Sequence, residues 1–219
     1  LTSPLEGSKT TLATEPTAQP TGLTFTLHST NTVRLNFTPA VGSPTGYLLI
    51  RKEGAASAGI PVDGTTYTIG NSLDGTIVAI GSATQLDDSG LLAGISYHYT
   101  IFSYTGSGQA TNYLTSPVGV TSSTITLPDA PSGQPATGVG QTTFTANWSA
   151  VTGATIYRLD VSTYNFATFV SGYNSQSVSA LFETLISLTA STPYKYRVRA
   201  ENAIGLQSAN SNVVSATTD

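Results

Sequence analysis

The sequence predicts an all-β protein built from two tandem β-sandwiches. Thr, Ser, Gly, Val and Tyr are abundant, Lys and Glu are scarce, and Met and Cys are absent, a composition that favours strands. Both halves contain short segments in which every second residue is apolar, the period of a strand with one buried face. The halves also resemble each other, and 219 residues are enough for two domains.

The strongest predicted strand is YKYRVRA, residues 194–200, in which aromatic or apolar residues alternate with Lys or Arg. Its counterpart in the first half is YHYTIFS, residues 97–103, with Tyr97, Tyr99 and Ile101 on one face. We expect these faces to lie in the two cores, with the cations in water.

An internal repeat is visible upstream, where VRLNF at residues 33–37 matches FTANW at residues 144–148. The first copy is longer than the second, and the added residues lie in an insertion around residues 53–86. Gly, Asp and Asn punctuate this insertion, and its segment TIVAI has the composition of a strand. We therefore expect an extra hairpin there.

The domain boundaries follow from the repeat and from a short proline linker, TLPDAP, at residues 126–131. We predict a first domain over residues 20–126 and a second over 127–219. Residues 1–19 precede both copies.

The leader at residues 3–11 resembles the Ser/Thr-rich tails at 116–124 and 211–218. One interpretation is that it is the last strand of a preceding domain, followed by a linker, and that it pairs with a sheet edge of this chain or of a neighbour. The other is a Thr/Ser-rich leader whose likeness is coincidental.

The second half resembles a fibronectin type III domain. The likeness depends on Trp148, Tyr157 and the segment LTASTPYKYRVRAENAIG, in which Leu188 and Tyr194 have the spacing of the family's tyrosine corner. The first half is similar, with Phe37 at the position of the tryptophan. Its insertion and its ending, SYTGSGQATNYLTSP, are similar to a variant found in secreted multidomain bacterial proteins.

This resemblance implies two seven-strand immunoglobulin-like sandwiches with Greek-key connections, the first carrying the inserted hairpin. It also implies that Trp148 lies in the second core. We expect Trp148→Ala to unfold the second domain and to leave the first domain folded.

The sequence offers no assembled catalytic, cofactor or metal site. Only His28 and His98 are present, and no motif joins either to a nucleophile and a carboxylate. The adjacent Asp87 and Asp88 of DDSG are a weak calcium candidate, because neighbours on a strand face opposite ways and Ser-Gly favours a turn. The sequons at Asn36 and Asn147 follow from the repeated strand pattern.

One surface of the first copy is a candidate interaction patch. In YLLIRK, residues 47–52, alternation points Tyr47 inward, and it places a set of apolar side chains on the outer face together with the neighbouring strand. The patch consists of Leu48, Ile50, Phe102 and Tyr104.

An exposed apolar patch usually has a cover. The insertion, the second domain and an outside partner are the three covers to consider, and we predict that the first three patch residues are buried. The same face of the second copy is charged and is expected to be solvated.

The function predicted from these features is that of a non-catalytic extracellular spacer or presentation module of a larger secreted or cell-surface protein. The alternative is adhesion or carbohydrate binding through the aromatic residues Tyr164, Phe166, Phe169 and Tyr173. Expected partners are other domains of the same polypeptide, or a protein or polysaccharide surface. A net charge of −4 and apolar runs too short for a bilayer argue against nucleic acid and membrane insertion.

Overall fold

The computed structural model describes residues 10–219, and these form strands, turns and one 3-10 turn, Gly108–Ala110, with no α-helix in that range. The chain divides into two compact units. The first contains residues 10–28 together with Thr32–Ser89 and Ser96–Thr124, and the second contains Ser29–Asn31, Gly90–Ile95 and Ile125–Asp219.

The first unit is a sandwich of two antiparallel sheets. Its strands are β1 Thr21–His28, β2 Thr32–Thr38, β3 Gly46–Glu53, β4 Thr76–Gly81, β5 Gln85–Ser89, β6 Ser96–Thr105, β7 Asn112–Tyr113 and β8 Val120–Ile125. One sheet has the order β1-β2-β5, and the other has the order β4-β3-β6-β7, with β8 also paired to β6. Seven long strands and the two-residue β7 therefore form the unit.

The second unit repeats this arrangement without the extra short strand. Its strands are β9 Gly133–Thr137, β10 Phe144–Trp148, β11 Ala154–Ser162, β12 Gln176–Val178, β13 Phe182–Leu185, β14 Pro193–Asn202 and β15 Val214–Thr217. The two sheets have the orders β13-β10-β9 and β12-β11-β14-β15. The predicted all-β architecture of two seven-strand sandwiches is confirmed.

Alternation along β14 sets the core of the second unit. Tyr194 and Tyr196 are buried, whereas Lys195 and Arg197 remain half-exposed, as the period of two predicts. The indole of Trp148 is 3% exposed and packs 5.9 Å from the ring of Tyr157. The same alternation in β6 buries Tyr97, Tyr99 and Ile101 in the first unit.

The tyrosine corner that the resemblance implied is present in the second unit. The Thr189 backbone N–H donates to Tyr194 Oη at 2.9 Å, which ties β14 to the turn before it. Another tyrosine hydrogen bond is present in both units. The Ala40 N–H donates to Tyr47 Oη at 2.9 Å in the first unit, and the Val151 N–H donates to Tyr157 Oη at 3.1 Å in the second.

The insertion differs in detail from the expected extra hairpin. Residues 54–75 form an irregular segment between β3 and β4, here called the β3–β4 loop, and its only bridge among the described residues joins Ser72 to Thr76. Repeated Gly, two Ser and Asn71 favour turns, so the segment does not build a ladder of its own. The predicted strand TIVAI is present as β4, which pairs with β3.

The described part of the leader, residues 10–19, contains no strand but is bonded to the first unit. The Ala13 N–H donates to the Ala110 carbonyl at 2.8 Å. The side chain of Gln19 is buried, accepting from the Ser103 N–H at 2.8 Å and donating to the Leu114 carbonyl at 2.7 Å. Of the strand expected over residues 3–11 to pair with a sheet edge, residues 3–9 lie outside the described residues, and residues 10 and 11 are not in a strand.

Candidate functional site

The candidate patch lies on the outer face of the sheet formed by β3 and β6, and most of it is buried. Leu48 and Ile50 are fully buried and Phe102 is 1% exposed, while Tyr104 is half-buried. Leu48, Ile50 and Phe102 belong to a second hydrophobic cluster, the outer cluster, against which Tyr104 packs. The outer cluster consists of Leu48, Ile50, Ile77, Phe102 and Tyr113.

The β3–β4 loop covers the outer cluster. Tyr67 and Leu73 of this loop pack against it. Tyr113 Oη donates to the Thr65 carbonyl at 3.1 Å, and the Val62 N–H donates to Tyr67 Oη at 3.1 Å. Of the three covers considered, the insertion is the one observed, so the candidate patch is not an open interaction surface.

The two ends of the β3–β4 loop are fastened to each other and to β3. The Ala58 N–H donates to Asp74 Oδ2 at 2.6 Å, and Lys52 Nζ donates to the same carboxylate at 2.9 Å. The Lys52 hydrogen bond, followed by that of Ala58, lowers the pKa of Asp74. Gly59 lies so close to Leu73 that a Cβ there would be 2.1 Å from the Leu73 carbonyl oxygen.

A cavity of about 210 Å³ opens where the β3–β4 loop meets the end of β6. Three tyrosine rings contribute to it: Tyr113 lies 5.8 Å from Tyr67 and 5.7 Å from Tyr104, centroid to centroid. Burial raises the pKa of Tyr104 and raises the pKa of Tyr113 to about 12. The lining residues are Thr45, Thr66, Tyr67, Ile80, Tyr104, Gly106, Ser107, Gly108, Thr111 and Tyr113.

The charged face of the second unit is internally paired, in contrast to the expected solvated surface. Arg158 makes two bonds of 2.9 Å to Glu201, an arrangement that lowers the pKa of the Glu201 carboxyl. Asp160 is 2% exposed and accepts from Arg197 Nε at 3.0 Å and from the Ser175 N–H at 2.8 Å.

The aromatic residues of the alternative function lie in the segment between β11 and β12 and have unequal exposure. Tyr164 is 72% exposed. The ring of Phe166 lies under the Arg197 guanidinium at 4.1 Å, and Tyr173 packs against the core. Phe166 and Phe169 are half-buried, with ring centroids 6.5 Å apart. Only one of the four rings is open enough to stack freely on a ligand.

Asp87 and Asp88 lie in strand β5, not in a turn, and they face opposite ways. Asp87 pairs with Arg34 at 2.6 Å on the surface. Asp88 is buried, accepting from Tyr99 Oη at 2.8 Å and from Arg51 Nη1 at 2.8 Å. Burial, chiefly, raises the pKa of Tyr99. Residues 10–219 contain no group of three or more potential His, Asp or Glu metal ligands.

The histidines and the sequon asparagines occupy structural positions. His28 Nε2 lies 2.7 Å from Thr124 Oγ1, and burial lowers the pKa of this imidazole. His98 is opposite Lys52 in the β3–β6 ladder. Asn36 Nδ2 donates to Thr26 Oγ1 at 2.7 Å, and Asn147 Nδ2 donates to the Pro135 carbonyl at 3.0 Å. Both amides hold neighbouring strands together.

Sequence reasoning missed the cavity and the buried carboxylates. The sequence predicts an extra hairpin for the segment that contains Thr66 and Tyr67, whereas both lie in the irregular β3–β4 loop. The signal for the cavity is the run TTYT between Gly-rich turns, which places an aromatic residue in an irregular segment. The pairing of Asp88 with Tyr99 has no signal in the spacing of these residues, because it depends on how β5 and β6 face each other.

Comparison with known proteins gives a limited sequence match. No protein-family model matches the chain. Over 150 residues it is 34% identical to Exoglucanase B of Cellulomonas fimi, covering 65% of this chain and 13% of that protein. The match therefore concerns a small part of a much longer relative. Within residues 10–219 no helix has the length and hydropathy needed to cross a bilayer.

Three solved structures are similar to parts or most of this chain. A two-domain fibronectin type III segment of chicken tenascin is 15% identical, with a TM-score of 0.46 over 92% of this chain and 99% of that chain. The fibronectin type III domain of human fibronectin type III domain containing protein 3 is 28% identical, with a TM-score of 0.35, covering 42% of this chain and 85% of its own. FN3tt is 26% identical, with a TM-score of 0.34, covering 42% of this chain and 95% of that chain.

The fold assignment itself comes from the strand orders, the tyrosine corner and the paired core aromatics described above. The chain consists of two tandem β-sandwiches of the fibronectin type III fold.

Proposed function

We propose that the chain is a non-catalytic spacer or presentation module of a larger secreted or cell-surface protein. The observation that carries this proposal is that the apolar outer face of the first unit is covered by the chain's own β3–β4 loop. The module thus needs no external partner to bury that face. Its partners are then other domains of the same polypeptide, and its location is extracellular.

The pairing of charges supports a non-catalytic role. General acid–base catalysis requires a titratable group placed to exchange a proton with a substrate. Three buried carboxylates are instead held by cations: Asp88 by Arg51, Asp160 by Arg197 and Glu201 by Arg158. These ion pairs fasten strands to one another.

The partial match to Exoglucanase B supports the proposed setting. That relative is named for action on a glucan, and the similar region is a small fraction of its length. In a larger enzyme of this kind, a module with two self-contained sandwiches would keep other domains apart or present them to an insoluble substrate.

A sedimentation assay with insoluble cellulose and xylan tests the proposal. We expect the 219-residue chain to remain in the supernatant and to release no reducing sugar from either polymer. A known cellulose-binding protein serves as the positive control for sedimentation. Release of sugar would contradict the non-catalytic role.

The alternative is adhesion or carbohydrate binding, and one observation favours it: the phenol ring of Tyr164 is 72% exposed beside the Phe166–Arg197 pair. Sedimentation of the native chain with a polysaccharide, lost in Tyr164→Ala and retained in the conservative variant Tyr164→Phe, would establish this alternative. The same result would overturn the spacer role.

A further inference from the structure

The cavity between the β3–β4 loop and the end of β6 has the chemistry of a site for an uncharged ring. None of its ten lining residues carries a charge. The lining combines the rings of Tyr67, Tyr104 and Tyr113 with the hydroxyls of Thr45, Thr66, Ser107 and Thr111. Aromatic faces attract weakly positive C–H groups, and hydroxyl groups both donate and accept hydrogen bonds.

We propose that this cavity binds a single neutral pyranose ring, with a tyrosine face against the C–H face of the sugar and threonine and serine hydroxyls toward its hydroxyl groups. The inference goes beyond the spacer role, which does not need it. A sugar ring is the occupant that matches both parts of the lining, because it carries apolar C–H faces and a rim of hydroxyl groups. An aliphatic group would offer no partner to the exposed hydroxyls of Thr66 and Ser107.

The size of the cavity limits the ligand to one ring. Its volume of about 210 Å³ is below the range of about 300–1,000 Å³ that encloses drug-sized ligands. A pyranose ring fits this space, whereas a longer oligosaccharide would have only one of its rings inside.

The walls of the cavity are held in place before a ligand arrives. Tyr67 Oη accepts from the Val62 N–H, Tyr113 Oη donates to the Thr65 carbonyl, and Thr45 Oγ1 accepts from the Gly106 N–H at 3.1 Å. Fixed walls reduce the entropy that binding would otherwise cost. The hydroxyls of Thr66 and Ser107 are exposed and have no hydrogen-bond partner among the described residues, so they are available to a sugar.

The site is specific to the first unit. Thr66 and Tyr67 belong to the β3–β4 loop, and Gly106, Ser107 and Gly108 belong to the turn after β6. A single small ring with few polar contacts corresponds to a Kd on the order of 1 mM. Such a monovalent site does not retain the chain on an insoluble polymer, so the sedimentation assay and the experiment below report on different properties.

Saturation-transfer-difference NMR on the full chain tests the proposal, with cellobiose and xylobiose as probes and glucuronate as the charged comparison. We expect saturation transfer to the ring C–H protons of the neutral sugars. Thr66→Val, which removes one exposed hydroxyl and keeps the shape of the residue, should weaken binding about threefold or more. Tyr67→Leu, which removes one aromatic face, should abolish the signal.

Two controls keep the result interpretable. Tyr164→Ala changes the exposed ring of the second unit and should leave the transfer unchanged. Amide spectra of each variant verify folding, and Thr66→Val carries the test if Tyr67→Leu disturbs the β3–β4 loop.

Three outcomes would overturn the proposal: no transfer to either neutral sugar, transfer of equal strength in Thr66→Val, or transfer that is lost in Tyr164→Ala. The first two would leave the spacer role intact. The third would move sugar binding to the second unit and favour the carbohydrate-binding alternative.

Discussion

At the scale of single residues, the fold separates adjacent side chains into different environments. Asp87 and Asp88 are neighbours in β5, yet the first pairs with Arg34 at the surface and the second is buried with Tyr99 and Arg51. Exposed ion pairs contribute about 0–1 kcal/mol, whereas removing one partner of a buried pair costs about 3–5 kcal/mol. The two aspartates therefore form a matched pair for mutation.

We expect Asp88→Asn to destabilise the first unit by about 3 kcal/mol or more, because the Arg51 charge and the Tyr99 hydroxyl lose their ionised partner. Asp87→Asn should have a much smaller effect, because the Arg34–Asp87 pair lies at the surface and is weakened by water. Urea denaturation of the two variants measures both changes. Equal effects would contradict the assigned environments.

Lowering the pH should destabilise the second unit, because Glu201 becomes protonated. The Arg158 hydrogen bond lowers the folded pKa of Glu201 below its ordinary value of 4.5. The ionised carboxylate therefore stabilises the fold above pH 4.5, and this contribution is lost as the pH falls through the lower folded pKa.

The measurement is the urea midpoint of the second unit at neutral pH and at a pH below the folded pKa. Glu201→Gln should lower the midpoint at neutral pH and reduce its dependence on acid. Glu183→Gln is the control, because Glu183 accepts from the neutral amide of Gln176. An unchanged acid dependence in Glu201→Gln would count against the assignment.

At the scale of the elements, the equivalent outer sheet faces of the two units differ in the type of side chain they carry and in what stabilises it. The outer face of β3 and β6 is apolar and covered by the β3–β4 loop, forming the outer cluster. The outer face of β11 and β14 is charged and held by the Arg158–Glu201 and Arg197–Asp160 pairs. The longer loop of the first unit thus replaces ion pairs with hydrophobic packing.

Among the glycines of the β3–β4 loop, Gly59 leaves the least room for a side chain. A methyl group there would lie 2.1 Å from the Leu73 carbonyl oxygen, which is backbone and must move. We expect Gly59→Ala to displace the β3–β4 loop, destabilise the first unit by about 1–3 kcal/mol and increase binding of a hydrophobic dye. Ala55→Ser, at an exposed position of the same loop, is the control. If Gly59→Ala bound no more dye than the native protein, this would contradict the role of the β3–β4 loop as the cover of the outer cluster.

At the scale of the whole molecule, each unit has its own core. Phe144, Trp148 and Tyr196 lie in the core of the second unit, and Leu35, Tyr99 and Ile101 are fully buried in the first. Independent cores allow one unit to unfold while the other remains folded.

We expect Trp148→Ala to cost the second unit about 3–5 kcal/mol, because it removes a buried indole and leaves a cavity. In calorimetry the transition of the second unit should shift to lower temperature or disappear, while that of the first unit stays in place. Phe182→Ala, at an exposed position of β13, is the control. Joint loss of both transitions would show that the units fold as one.

Local pattern was enough to determine the fold. The period of two in β6 and β14 identifies which side chains enter each core, because successive residues of a strand point to opposite faces. The spacing of Leu188 and Tyr194 likewise predicts the corner that the Thr189 N–H closes. These features depend on neighbours within a strand or a turn.

The sequence by itself determined the strands, the two sandwiches and the apolar outer face of the first. Only the tertiary structure decided that the β3–β4 loop covers this face, that a tyrosine-lined cavity forms at its margin, and that Asp88 lies beside Tyr99. The physical reason is the distance in sequence between the residues that make contact. Alternation is a property of one strand. The cover, the cavity and the buried ion pair join residues that are distant in sequence, and their contacts depend on how an irregular loop and two sheets pack.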